Sequence, residues 1–217
     1  MRIFLDTANI EEIKQAAKLG VISGITTNPS LISQAKATNY EAAIKEICSI
    51  IPGPVSTEVV VEGVAAMLKQ AREIAKWATN IVIKIPSTAE GLEVTSILTK
   101  EGIKVNFTLC FSVNQALLAA EAGATYVSPF VGRLDDIGQD GMLLVKDIID
   151  IYKNYPAIKT EVIAASIRHP EHCVRAAKIG AHIATLPYKV LLQMIQHPLT
   201  EAGNKRFLAD FKSLSQQ

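Results

Sequence analysis

Short apolar runs recur along the chain, each ending near a polar residue and each followed by a stretch with helical spacing. The runs are IFLD, GITT, VSTEVV, IVIKIP, IKVNFT, TYVSPF, EVIAAS and HIATLP, eight in all. They are rich in Val, Ile, Phe and Thr, residues that suit a pleated, buried surface. Between them the apolar positions shift to three- and four-residue spacing. Val64, Met67, Leu68, Ala71, Ile74 and Ala75 form one such stripe, predicting a helix over residues 62–77. Asn9 or Thr7 is placed to cap a helix running to Leu19, with Gly20 ending it. Ser112 or Asn114 precedes a helix at 115–122 closed by Gly123. Further helices are expected at 141–152, at 170–179 before Gly180, at 189–196 and at 201–214.

Regular alternation of strand and helix predicts parallel βαβ units. Eight units in 217 residues suggest closure into a (β/α)8 TIM barrel, with the helix at about 201–214 left over beyond the repeats. No Ser- or Gly-rich linker divides the chain, so residues 1–217 are expected to form a single domain. The alternative is a doubly wound open sheet, which favours a Gly-rich phosphate loop after the first strand. That strand instead runs into LDTANI, with neither GxGxxG nor GxxxxGK[ST].

Composition narrows the class further. Hydrophobic residues make up 49% and charged residues 20%, as in a globular protein. Lys+Arg is 22 against Asp+Glu 21, with no basic block, so neither nucleic acid nor a membrane surface is an expected partner. The run VVVEGVAAML is broken by Glu62 and too short to span a bilayer. Asp6 interrupts the place where a secretion signal needs an apolar core. Cys48, Cys110 and Cys173 are an odd set without metal spacing, so buried reduced thiols and a cytoplasmic location are expected. His169, His172, His182 and His197 make no obvious metal set, and no metal or cofactor is expected.

Active sites of such barrels sit at the C-terminal ends of the strands. Alternation puts Asp6 on one face with Phe4, Asn28 with Thr26, Glu58 with Ser56, Lys84 with Val82, Thr108 with Asn106, Ser128 with Tyr126, and Ser166 with Ala164. Lys84 lies in the otherwise apolar IVIKIP. It is either a lysine snorkelling its charge out of the strand end or a nucleophile. Apolar walls disfavour an ammonium by desolvation, and a free amine can attack a carbonyl to give an imine. Asp6 and Glu58 are the carboxylates available as proton shuttles, with helix capping and a salt bridge to Lys84 as their plainer alternatives. Asn28, Asn106, Thr108 and Ser128 offer neutral partners for a polyhydroxyl substrate. Arg133 and Arg168, with Ser166, suit a phosphate, although Arg133 has Asp135 and Asp136 close by as ion-pair partners.

The stretches FLDTANIEEI, GITTNPSLI, VSTEVV, VIKIPSTAEGL, KVNFTLCFSVNQALLAAEAGATYVSPFVGRLDDIGQDG and VIAASIRHPEH resemble the transaldolase family, in particular its short microbial branch, which includes fructose-6-phosphate aldolase. The resemblance covers nearly the whole chain. It implies an α/β barrel of class I aldolase type acting on sugar phosphates, with Lys84 as the Schiff-base lysine. It implies that Asp6 is the acid/base of C–C cleavage and that Glu58 and Thr108 hold the catalytic water. Asn28, Asn106 and Ser128 would hold the dihydroxyacetone unit, and Arg133, Ser166 and Arg168 the phosphate. Fructose-6-phosphate aldolases of the branch typically carry Gln and Tyr where this chain has Glu58 and Phe130, so the resemblance favours transaldolase in the pentose phosphate pathway. An aldolase releasing free dihydroxyacetone is the first alternative, and a non-catalytic sugar-phosphate-binding barrel the second. The branch commonly forms homo-oligomers, pentamers or decamers, and Phe207, Leu208, Phe211 and Leu214 make an apolar stripe suited to a neighbour.

Overall fold

The computed structural model describes residues 1–35 and 39–214. In chain order the elements are β1 (Arg2–Asp6), α1 (Ile10–Lys18), β2 (Ile22–Thr26), α2 (Pro29–Gln34), α3 (Tyr40–Ile50), β3 (Val55–Glu58), α4 (Val64–Ala75), β4 (Ile81–Pro86), α5 (Ala89–Lys100), β5 (Val105–Cys110), α6 (Val113–Glu121), β6 (Tyr126–Pro129), α7 (Val131–Asp135), α8 (Gly141–Lys153), β7 (Glu161–Ala164), α9 (Pro170–Ile179), β8 (Ile183–Leu186), α10 (Tyr188–Ile195) and α11 (Pro198–Leu214). The strands run parallel in the order β1 to β8, and β8 pairs back onto β1 to close a (β/α)8 barrel. The expected fold class is the observed one, and α11 follows the eight repeats.

Local chemistry explains the element ends. Asn9 caps α1, its side-chain oxygen accepting from Glu11 N at 3.0 Å and Glu12 N at 3.3 Å. Thr7 instead donates to the Glu12 carboxylate at 2.6 Å. Ser112 and Gln115 form a capping box on α6. The helix expected from residue 62 starts at Val64, because Gly63 takes a φ of +85° that no L side chain adopts readily. Helices α2, α3, α5 and α7 have no counterpart among the predicted segments; α2 and α7 are only 6 and 5 residues long, too short to show a period.

The barrel interior is stratified by the two-residue repeat of its strands. Phe4, Val82, Tyr126, Ile163 and Ile183 form a buried apolar plug in its lower half. Two residues further along, β1, β4, β6 and β8 carry Asp6, Lys84, Ser128 and Thr185. Gly24 is opposite Phe4 in the register, and a Cβ there would lie 2.7 Å from the Phe4 ring. The glycine therefore makes the space the plug fills. Leu5, Ile25, Ile83, Phe107 and Ala164 belong to the larger core between strands and helices. That corrects the parity assigned to β7: Ile163 faces inward and Ala164 faces the helices. Cys48, Cys110 and Cys173 are buried free thiols, and burial pushes each up to about 11. Among the described residues no helix is long and apolar enough to cross a membrane.

Candidate active site at the barrel mouth

A cavity of about 180 Å³ opens above the apolar plug, lined by Asp6, Thr26, Asn28, Lys84, Ser128, Phe130, Arg133, Ala165, Ser166, Arg168 and Thr185. Eight of the eleven residues predicted for the site line it. Glu58, Asn106 and Thr108 do not. They lie on the adjacent β3 and β5, and the register places Glu58, Lys84 and Asn106 side by side. A larger depression of about 440 Å³ between α1 and α3 has no lysine, arginine or histidine on its walls among the described residues.

Lys84 is 4% exposed. Its Nζ donates to the Thr27 carbonyl at 3.1 Å and lies 3.4 Å from Glu58 Oε2. A buried ammonium needs such partners. The surroundings of Nζ thus differ from the apolar walls expected from IVIKIP: Ile83 and Ile85 face outward, Val82 lies a layer below in the plug, and Nζ itself meets a carbonyl and a carboxylate. Tyr40, on α3, donates its hydroxyl to the Glu58 carbonyl at 2.9 Å and packs edge-on against Trp77. That contact fixes the end of β3 from outside.

Asp6 caps no helix; it stays in β1 and accepts from Thr26 Oγ1 at 2.7 Å. Thr26 and Thr185 hydroxyls are 2.6 Å apart. Thr26 spends its one proton on Asp6, so Thr185 donates to Thr26. Burial pushes the Asp6 carboxyl above its usual range, and the Lys84 charge and the Thr26 hydrogen bond offset part of that rise. The sequence reading omitted Thr26 and Thr185; the inward parity of β8, next to β1, was the available signal.

Asn28 uses Oδ1 to cap α2, accepting from Leu31 N at 2.9 Å, so only its amide N–H groups remain for a ligand. Ser128 donates to Asn106 Oδ1 at 2.7 Å, and Asn106 donates to Ser56 Oγ at 3.1 Å. This chain orients the Ser128 hydroxyl at the cavity wall. Thr108 Oγ1 is buried without a protein partner among the described residues. Phe130 is held edge-on by Phe111, and the Arg133 guanidinium lies 5.0 Å over its ring. Arg133 therefore makes a cation–π contact, and the alternative of an ion pair with Asp135 or Asp136 is not seen among the described residues. It is Arg168 that bonds Asp136, at 2.6 Å. Ser166 reaches the cavity through a left-handed turn, φ +58°, after the strand has ended.

A closed parallel barrel with a buried lysine, a carboxylate and an arginine pair at one cavity, and a second carboxylate beside the lysine, defines an enzyme of the (β/α)8 class. The Transaldolase/Fructose-6-phosphate aldolase family model matches residues 3–217. The chain is 64% identical over 215 residues to a probable transaldolase of Dehalococcoides mccartyi, covering 99% of both chains. It is 59% identical to a probable transaldolase of Thermoanaerobacter sp., covering 98% of this chain and 97% of the relative. It is 56% identical to one from Methanococcus maripaludis, covering 98% of each. The chain belongs to the Transaldolase/Fructose-6-phosphate aldolase family.

Proposed function

We propose that the chain is a transaldolase, working as one domain in the cytoplasm and moving a dihydroxyacetone unit between sugar phosphates of the non-oxidative pentose phosphate pathway. The observation that carries this reading is the buried Lys84 amine at the floor of a cavity that also holds Asp6, Arg133 and Arg168. The ketose phosphate enters with its phosphate toward the arginines. Lys84 Nζ attacks the C2 ketone, and loss of water gives a protonated imine. Asp6 removes the C4 hydroxyl proton, the C3–C4 bond breaks, and its electron pair moves into the imine to form an enamine. The released aldose phosphate departs. An acceptor aldose phosphate then takes the enamine carbon at its aldehyde while Asp6 returns the proton. Water adds to the new imine and frees the ketose. Glu58 and the unpartnered Thr108 hydroxyl are suited to hold that water, since a buried hydroxyl without a partner is costly.

Transfer is favoured over release by two residues. Glu58 can take and return a proton, as an amide cannot. Phe130 has no hydroxyl with which to protonate the enamine, and the contacts to Phe111 and Arg133 hold its ring in place. We further propose that copies of the chain associate through α11.

Borohydride added with fructose 6-phosphate should leave a reduced adduct on the peptide containing Lys84, and Lys84→Ala should leave none. Absence of any lysine adduct in folded protein would remove the Schiff-base reading. Fructose 6-phosphate alone should be consumed slowly, and adding an aldose phosphate acceptor should accelerate it. Rapid cleavage without acceptor would make the chain an aldolase.

A further inference from the structure

The arginines of the cavity stand on two separate segments, Arg133 on α7 and Arg168 in the loop between β7 and α9. A binding site split in this way works only if the segments hold a fixed spacing, to within about half an ångström for a preorganised site. Their backbones meet directly: Gly132 N donates to Ser166 O at 3.0 Å, and a Cβ on Gly132 would sit 2.5 Å from Arg168 Nε. The left-handed φ of Ser166 is a strained choice for a residue with a side chain, and such strain persists only where neighbours enforce it.

One buried imidazole joins the two segments. His172, on the first turns of α9, is 3% exposed. Its Nδ1 accepts the Arg168 backbone N–H at 3.2 Å. Its Nε2 lies 2.9 Å from Asp135 Oδ2 at the end of α7. The second Asp135 oxygen accepts Gly141 N at the start of α8, at 2.9 Å. Nδ1 accepts, so the ring proton must be on Nε2, where it donates to Asp135.

We propose that His172 is a positioning residue for substrate phosphate, its Nε2–H tautomer coupling Arg168 to Asp135 and so setting the spacing of the two arginines. The inference rests on the reading that Arg133, Ser166 and Arg168 take the phosphate. His172 touches no substrate in this role; it acts through the Arg168 backbone. Burial, and the neighbouring His169 and Arg175, lower the imidazole from its usual range against the pull of Asp135, which keeps the ring neutral as the bridge requires.

The bridge can be cut one bond at a time. In His172→Asn the side-chain oxygen takes the place of Nδ1 and keeps the Arg168 contact. In His172→Gln the amide takes the place of Nε2 and keeps only Asp135. His172→Gln and His172→Ala should raise the KM for fructose 6-phosphate and the Ki for inorganic phosphate by about tenfold, the worth of one buried hydrogen bond, with kcat within about twofold. His172→Asn should show the same loss, because a bridge cut at its Asp135 end no longer sets the spacing. KM and Ki like those of the unaltered protein in any of the three variants, or a parallel fall in kcat showing general disruption, would overturn the proposal. Arg168→Ala is the control for the underlying reading: an unchanged Ki for inorganic phosphate would remove the phosphate site itself. A raised Ki there, with normal His172 variants, would remove only the bridge. Should the variants fail to fold, imidazole nitrogen NMR of the unaltered protein decides, since an Nδ1–H tautomer of His172 is incompatible with the bridge.

Discussion

Asp6 is costly to the fold, and the proposed mechanism needs it. Its carboxyl is pushed above the unfolded value of 3.8, mainly by burial. The neutral form is therefore the one the fold prefers. Its contribution to stability is complete below pH 3.8 and is lost as pH rises through the folded value. Asp6→Asn keeps an acceptor for Thr26 and removes the charge. It should melt above the unaltered protein at neutral pH, with the gap closing as the pH is lowered toward 3.8, as thermal scans across that range would show. Turnover should fall by at least about a hundredfold, the usual value of a positioned acid/base. A variant that melts lower at neutral pH would mean that the Asp6–Lys84 attraction outweighs desolvation. At this scale the sequence was most legible. A lysine in IVIKIP and an aspartate ending IFLD break an apolar pattern, and such breaks have few structural reasons. Thr26 and Thr185 were harder to see, because threonine is an ordinary strand residue and its hydroxyl matters only once β1, β2 and β8 are adjacent.

Length alone does not decide which elements are legible. Helices α4 and α8 show their stripe in the sequence, whereas α3 and α5, of 11 and 12 residues, have no counterpart among the predicted segments, and α7 has 5 residues and a role that comes from where it docks. β7 was assigned the wrong face because Ser166 was counted as its last regular residue. The left-handed turn at Ser166 breaks the alternation, and no residue type announces it, since serine rarely takes a positive φ. Gly24 is the opposite case, a glycine whose reason is its neighbour. Gly24→Ala would bring a methyl to 2.7 Å from the Phe4 ring and from the Pro54 carbonyl. The apolar plug would have to shift, at a cost of about 1 to 3 kcal/mol in chemical denaturation. No loss of stability would show that Phe4 has room to move.

Over the whole molecule, the eight repeats suggest closure, and the lack of a Gly-rich loop after β1 weighs against the doubly wound sheet, which covers both faces equally well. What repeats alone leave open is the fate of a segment outside them. Helix α11 buries none of its residues, and Leu199, Phe207, Leu208 and Leu214 are each more than 60% exposed. These side chains are not packed on the barrel of their own chain. An apolar helix face in water favours association. Light scattering should find a homo-oligomer for the full chain, and a smaller species with an unchanged melting profile of the barrel after Phe207→Ser and Leu208→Ser. A monomeric full chain would reject the association.

The hydroxyl pair of Thr26 and Thr185 spans 159 positions of the chain and crosses the seam where β8 meets β1. Asp6, the base of the proposed C–C cleavage, is therefore tuned by a residue made almost last. Lys84, Glu58 and Asn106 lie on β3 to β5, all made well before β8, whose arrival completes the seam that orients Asp6. Catalytic competence should then arrive in one step with closure of the ring, not accumulate strand by strand.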